Sequence, residues 1–295
     1  MLKNFASFTL SGKIPAFTVV FGFLVFALIF PLSAIVSGAA LVLLTLHASP
    51  RNSISIVLAC TLGFAILTQV LLGNATIGAL TAIAQLIPCF ILAYMLHSTR
   101  SLSLSMQFFA LLGAVVFVLT SVMFPNSQQF WQSTLTPILS PALEASGNTQ
   151  EQIELIIAQT SKYMIGLLIM SIVLVHSGIL LLGYKLYSLA NDNTQFDQDF
   201  LQLRLGKVLA ALAIITGAWA LAAKSPFAAQ LCGILIILFF LQGLVVIHTT
   251  CGTMTKGKLW LIITYLLVIF VPQVIAIVIL LGLFETFFKL RLRVK

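Results

Sequence analysis

The feature that most constrains this chain is how far it runs without charge. Between Ile14 and Phe124 the only charged side chains are Arg51 and Arg100, and none occurs from Leu259 to Phe284. Water-soluble domains carry roughly a quarter charged residues, whereas Asp, Glu, Lys and Arg together make up 7% of this chain. The composition therefore excludes a water-soluble globule and predicts an integral membrane protein.

Long apolar stretches recur along the whole chain. A bilayer core of ~30 Å requires ~20 apolar residues per helix. The stretches cover residues 14–30, 32–46, 54–72, 75–96, 104–124, 163–184, 208–223, 227–247 and 259–283. We predict an all-α polytopic helical bundle, with residues 1–295 forming a single membrane domain of eight or nine transmembrane segments. The second stretch is short for a full span, so we expect it to be tilted or buried among other helices.

The basic residues near the ends of the stretches predict an orientation. With a cytoplasmic N-terminus, the 125–162 loop lies outside, and it holds three of the seven acidic residues. Nine full spans would also place the basic tail, 285–295, outside, whereas eight crossings return it to the cytoplasm. Eight crossings are favoured, either because Pro272 breaks the last stretch or because another stretch is a half-span. A cytoplasmic N-terminus places the following basic residues inside: Lys3, Lys13, Arg51, Arg100, Lys185, Arg204, Lys207, Lys256 and Lys258.

Two connectors have amphipathic patterns. In the 125–162 loop, Thr149-x-x-Gln152 has capping-box spacing and precedes an apolar helical stripe, which predicts one helix from near Thr149 to Tyr184. Upstream, apolar residues from Phe130 to Leu139 predict helical segments on the membrane surface, with Trp131 at headgroup level. In the second connector, Phe196, Phe200 and Leu203 repeat at helical spacing. We expect both connectors to be structural anchors rather than sites.

Residues that would support catalysis are missing. No Asp or Glu lies inside a predicted span, which argues against a carboxylate proton relay. The sequence contains neither H-E-x-x-H nor a P-loop motif. The four cysteines show no C-x-x-C spacing, so no metal site is indicated. We therefore predict a protein that is not an enzyme and has no cofactor. The net charge of +8 comes from residues that flank spans, so we expect lipid headgroups rather than nucleic acid as partners.

The remaining candidates are neutral polar side chains deep in the apolar stretches. His176 lies near the middle of the sixth stretch, and an imidazole buried in hydrocarbon must be paired. Gln69, Gln85 and Gln242 raise the same question. Each of the four is either a ligand contact or an interhelical hydrogen bond, and the hydrogen bond carries more weight for each.

The C-terminal part of the chain carries a resemblance. Phe240-Leu241-Gln242-Gly243-Leu244-Val245-Val246 precedes the basic turn Lys256-Gly257-Lys258, and Leu281-Gly282-Leu283-Phe284-Glu285 begins the closing segment, which continues to Arg291. Together with Phe200-Leu201-Gln202-Leu203-Arg204-Leu205, these segments resemble the YybS-like family of bacterial membrane proteins, a domain family of unknown function. The resemblance implies a multi-pass protein of the bacterial inner membrane.

The motif positions that this resemblance singles out are Arg204, Gly243, Gly282, Glu285 and Arg291. The family tends to have aspartate at the position of Glu285 and proline at the position of Gly206. This chain departs from the family pattern at both positions.

The YybS-like family is more loosely similar to the substrate-binding S components of energy-coupling-factor vitamin transporters and to the rod-shape protein MreD. That similarity implies a compact S-component-like core, but a fold does not determine a function. One hypothesis is a small-molecule- or lipid-binding protein, a transport component, with His176, Gln69 and Gln85 in a cavity among the first six helices. The alternative is a non-catalytic scaffold that contacts membrane-protein partners through the 125–162 loop or the basic tail.

Overall fold

The computed structural model describes residues 1–48 and 50–288, and within them the regular structure is helical, with no β-strand. This confirms the predicted all-α class. Most of the basic tail, including Arg291, lies outside the described residues. The helices are α1 (Leu2–Leu10), α2 (Lys13–Phe26), α3 (Ser33–His47), α4 (Pro50–Leu72), α5 (Ala75–Thr99), α6 (Leu102–Met123), α7 (Ser127–Ala145), α8 (Gln150–Ala190), α9 (Gln195–Leu201), α10 (Gly206–Ala223), α11 (Pro226–Ile236), α12 (Phe239–Gly252), α13 (Gly257–Phe270) and α14 (Gln273–Phe288).

Several of these helices are long and apolar enough to cross a bilayer. Within the described residues there are six such segments: α4, α5, α6, α8, α10, and α11 together with α12. Four further helices, α2, α3, α13 and α14, are apolar but shorter. The chain is therefore a multi-pass helical membrane protein, and the number of eight or nine crossings stays a prediction.

The last apolar stretch, 259–283, is not one helix. Helix α13 ends at Phe270 and α14 begins at Gln273. Pro272 accounts for the break, because it lacks an N–H and disfavours helical geometry at the residue before it. Val271 accordingly has φ −125° and ψ 87°. Of the alternatives that the sequence leaves open for this stretch, the structure has the one in which Pro272 interrupts it.

Helix α8 is the longest element, with 41 residues and a length of about 62 Å. Its N-terminus has the predicted capping box: the Thr149 backbone N–H donates to Gln152 Oε1 at 2.9 Å, and the Gln152 N–H donates to Thr149 Oγ1 at 3.4 Å. The prediction that a single helix continues from near Thr149 through Tyr184 is confirmed.

The described chain divides into two compact units. The first contains Met1–Met106 and Val175–Leu203, and the second contains Gln107–Leu174 and the residues from Arg204 onward. Helices α6 and α8 each contribute residues to both units.

The first unit is built around α3. Eleven of its fifteen residues are buried, which confirms the expectation that this short helix is covered by others. Ser37 Oγ donates to the Val20 carbonyl of α2 at 2.7 Å. On the α8 side, a Cβ atom at Gly183 would overlap Val42, so the two helices are in close contact there.

The amphipathic connector after α8 packs back onto that helix. Phe196 of α9 makes an edge-to-face contact with Tyr184, the ring centroids being 5.6 Å apart. The Tyr184 hydroxyl donates to Asp199 Oδ2 at 2.5 Å, and Lys185 Nζ lies 2.7 Å from Asp197 Oδ1. The contacts agree with the expected anchoring role of this connector.

In the second unit, α12 and α14 cross closely, and α10 and α11 form a hairpin whose second helix is capped by Ser225. The C-terminal half of α7 packs on the start of α8, where Leu135, Ile153 and Ile157 form a small apolar cluster. That cluster holds α7 against α8.

Candidate functional site

The polar residues singled out from the sequence have separate roles in the structure. Gln69 is exposed at the end of α4, and its Oε1 accepts the Ala75 N–H at 2.9 Å. The neighbouring Asn74 side chain accepts the N–H groups of Thr76 and Ile77. Both side chains therefore cap the first turn of α5 at the predicted α4–α5 hairpin. This is a structural role for Gln69.

Gln85 joins α5 to α3 in the first unit. Its Nε2 donates to the Ala34 carbonyl at 2.8 Å. The space around it is filled, because a Cβ atom at Gly38 would lie 3.2 Å from Gln85 Nε2 and 2.7 Å from Cys89 Sγ. Gln85 therefore forms an interhelical hydrogen bond, which is one of the two roles predicted for it.

His176 is buried in α8 within the first unit, at 5% exposure. Ser177, the next residue, is fully buried too. The position agrees with the predicted depth of the imidazole. The His176 side chain does not line the groove described below, so His176 stays a candidate without a defined cavity.

Gln242 is completely buried and forms three hydrogen bonds. Its Oε1 accepts the Leu205 N–H at 2.6 Å, while Nε2 donates to the Gly282 carbonyl at 2.7 Å and to Thr286 Oγ1 at 2.9 Å. These bonds join α12, α14 and the segment before α10. A glutamine amide bonded in this way stabilises the structure and leaves little capacity for a ligand.

Gly243 and Gly282 explain why α12 and α14 can approach so closely. A Cβ atom at Gly243 would overlap the Val278 carbonyl, and one at Gly282 would overlap the Phe239 carbonyl. Small residues at a helix crossing allow such backbone contact in membrane proteins. Gln242 lies beside this crossing, which we call the α12–α14 joint.

Glu285 also lies at the α12–α14 joint, one turn after Gly282. The sequence placed this carboxylate beyond the last apolar stretch, but the structure places it inside α14 with no exposed surface. The correction follows from the helix, which continues to Phe288 and carries Glu285 on its buried face. The other six acidic residues are not buried. The structure thus brings together Gln242, Gly243, Gly282 and Glu285, with Arg204 next to the bonded Leu205, while Arg291 is not described.

A large groove, which the sequence did not reveal, lies between α6, α7 and α8 in the second unit. Its volume is about 720 Å³, within the range of ~300–1,000 Å³ typical of ligand sites. On α8 the groove is lined by Ile165, Leu168, Ile169 and Ile172. Their spacing, i, i+3, i+4 and i+7, makes one continuous aliphatic stripe.

The groove exists because α6 and α8 are close at one end and apart at the other. At Gly113 of α6 a Cβ atom would lie 2.8 Å from Val173 Cγ2 of α8, so the helices touch there. Two turns further along α6, Thr120 and Met123 line open space. Phe130 and Trp131 of α7 form the remaining wall.

Polar side chains are confined mainly to one end of the groove. Asn126 and Ser127 line it at the turn from α6 to α7, next to Trp131. Thr120 is the other polar contributor, and its hydroxyl donates to the Val116 carbonyl at 2.8 Å. The groove therefore has a long apolar part and a short polar end.

A smaller pocket of about 110 Å³ adjoins the polar end. It shares Ser127 and Ile165 with the groove, and Lys162 supplies the positive charge in its lining. On its opposite side lies Gln230 of α11, whose Oε1 accepts the Gly166 N–H at 2.9 Å and whose Nε2 donates to the Lys162 carbonyl at 3.2 Å. This side chain attaches α11 to the turn of α8 that carries Lys162.

The sequence contained a signal for Gln230 that the predictions did not use. It is an uncharged amide in the apolar stretch 227–247, which also contains Gln242. The groove had no comparable signal, because its aliphatic and aromatic side chains look like any lipid-facing helix surface. Phe130 and Trp131, which the sequence predicts on the membrane surface, also line this groove.

Fold and site together define a multi-pass helical membrane protein with an apolar groove that is polar at one end. No family model matches the chain, and neither a curated protein nor a solved structure matches it.

Proposed function

We propose that this chain binds a lipid-like amphiphile in the groove between α6, α7 and α8. The observation that carries the proposal is the division of the groove into an aliphatic part, formed by the α8 stripe, and a polar end at Asn126 and Ser127. A hydrocarbon chain fits the first part and a polar head fits the second.

Burial of apolar surface alone would not make this groove selective. Lipid tails are as apolar as the aliphatic side chains of the groove, so moving a chain from the bilayer into it provides little hydrophobic driving force. Selectivity must come from shape and from the polar end. Phe130 and Trp131 of α7 give the groove a third wall, which an ordinary lipid-facing helix surface does not have.

The proposal keeps the binding-protein hypothesis but moves the site. The sequence suggested a cavity with His176, Gln69 and Gln85, whereas the supporting geometry now lies in α6–α8 of the second unit. The bacterial inner membrane, a cytoplasmic N-terminus and the YybS-like and S-component-like resemblances remain part of the proposal. With that orientation, the polar end of the groove faces the outer leaflet and the bound amphiphile comes from there.

Quenching of Trp131 by a brominated amphiphile tests the proposal. The protein has three tryptophans, so Trp219→Phe and Trp260→Phe leave Trp131 as the reporter. In a neutral detergent, brominated monostearoylglycerol should quench Trp131 saturably, because one site fills. Ile172→Phe adds bulk inside the groove and should weaken binding about 10-fold, corresponding to about 1.4 kcal/mol of overpacking.

The matched control is Leu182→Phe, which alters an aliphatic residue of α8 outside the groove. Ile172 and Leu182 are 40% and 37% exposed, so the two variants should affect stability alike. Quenching that grows linearly with the amphiphile fraction, and equally in both variants, would reject the groove as a site. A stoichiometric protein partner on the extracted chain would then favour the scaffold alternative.

A further inference from the structure

We propose that the pocket beside the groove holds an anionic headgroup, a phosphate or carboxylate, with Lys162 as its counter-ion. The inference rests on the proposed function and specifies the chemical class of the amphiphile. The neutral lipid-like molecule of the preceding test would then be a weaker ligand than its anionic analogue.

The groove and the pocket beside it are continuous. Ser127 and Ile165 line both the groove and the pocket. An amphiphile whose chain lies along the α8 stripe would therefore have its head at the pocket. The pocket volume of about 110 Å³ is sufficient for a phosphate or carboxylate group.

The lining of the pocket carries a positive charge. Lys162 is the charged residue in the pocket lining, and no carboxylate lines it. Glu151 and Glu154, earlier in α8, are exposed and at least two turns away. Lys162 is exposed, and within the described part of the chain its ammonium has neither an ion pair nor a hydrogen bond. An anion at this place would therefore have a cation that no carboxylate of the described residues already neutralises.

The pocket lining also contains neutral hydrogen-bond donors. In the described residues the partly buried Ser127 hydroxyl and the exposed Gln128 amide, both in the lining, have no hydrogen-bond partner within the protein. Ser121 and Ser161, by contrast, donate to the Phe117 and Ile157 carbonyls of their own helices at 2.8 and 2.7 Å. Two free donors and one ammonium match the acceptor oxygens of a phosphate or carboxylate.

The backbone of α8 at Lys162 is held in place by hydrogen bonds to α11. Gln230 donates to the Lys162 carbonyl and accepts the Gly166 N–H, which attaches this turn of α8 to α11. A Cβ atom at Gly166 would lie 2.6 Å from the Gln230 side chain, so the fit is tight. The Lys162 side chain therefore projects from a helical turn that is attached to α11.

The test compares two probes with the same chain: brominated stearoyl lysophosphatidate, which carries a phosphate, and brominated monostearoylglycerol, which does not. Quenching of Trp131 should show about 5- to 10-fold tighter binding of the phosphate probe to the parent protein, since charge-assisted hydrogen bonds of this kind have that effect. Lys162→Gln should abolish the preference, and Lys162→Arg should retain it. Inorganic phosphate alone should not displace either probe at millimolar concentration.

The matched control is Lys224→Gln, which removes an exposed lysine of the same unit that lines neither cavity. It should leave the preference unchanged. Saturable but equal binding of both probes, or a preference that survives Lys162→Gln, would overturn the headgroup inference and leave the groove proposal intact. Binding of neither probe would overturn both. Displacement by inorganic phosphate would assign the pocket to a free anion instead of a lipid head.

Discussion

The α12–α14 joint and the α6–α8 groove are built from similar apolar helices in the same unit, yet they differ in what their polar groups do. At the joint, Gly243 and Gly282 bring two backbones into contact, and Gln242 forms three hydrogen bonds. At the groove, α6 and α8 touch at Gly113, and further along α6 the side chains of Thr120 and Met123 line open space. The polar side chain of Ser127 remains without a partner among the described residues. A bonded amide inside a tight crossing stabilises the fold, whereas free donors at the end of a cavity can bind a ligand.

The largest expected effect comes from breaking the joint. Gly243→Ala would push a methyl group into the Val278 carbonyl, and a backbone atom cannot move aside cheaply. We expect a loss of about 3 kcal/mol in the free energy of unfolding, measured by denaturation in mixed micelles.

Gly252→Ala is the control in the same helix, because nothing lies within 4 Å of its Cβ position. It should raise stability by up to about 1 kcal/mol through helix propensity. Equal stability of the two variants would show that α12 and α14 are not in close contact. Amphiphile binding in the groove should be unaffected by Gly252→Ala.

Replacing a hydrogen-bonded glutamine should have an intermediate effect on stability, whereas replacing an unbonded one should have none. Gln242→Met keeps the volume but leaves the Leu205 N–H and the Gly282 carbonyl without their partner, at a cost of about 2 kcal/mol. Gln128→Met, beside the groove, should leave the stability unchanged, because the amide is not bonded in the described structure. If both variants lose the same stability in thermal unfolding, the distinction between bonded and free amides fails.

The smallest effect is expected at the link between α8 and α11. Gln230→Met removes the bonds to the Gly166 N–H and the Lys162 carbonyl, but the same backbone groups can bond to each other along the helix. We therefore expect a loss of about 1 kcal/mol, read from thermal unfolding. The preference of the groove for an anionic probe should weaken as well. A variant with lower stability and an unchanged preference would make Gln230 a packing residue only.

Local patterns predicted the elements whose geometry depends on nearby residues. The capping box at Thr149 and Gln152 marked the start of α8, and the apolar stretch 75–96 matches α5 (Ala75–Thr99). The short second stretch was expected to be buried, and α3 is. In each case, the side chains that determine the result lie within a few residues of the backbone they affect.

The functional side chains were harder to predict, because a sequence does not show which polar groups find partners. Gln85, Gln230 and Gln242 are all glutamines within apolar stretches, and the sequence does not distinguish their roles. Their roles depend on carbonyl and amide groups of distant helices, such as Gly282 for Gln242. The burial of Glu285 likewise depends on where α14 packs and on how far it continues.

The sequence by itself determined that this protein is helical and lies in a membrane, because the scarcity of charge leaves no soluble alternative and hydrocarbon requires internally bonded backbones. Only the tertiary structure decided where there is space for a ligand. The groove depends on the contact at Gly113 and on the packing of Leu135 against α8, and each depends on residues far apart in the chain. A lipid-facing surface and a binding surface use the same apolar residues, so the difference between them lies in how the helices diverge.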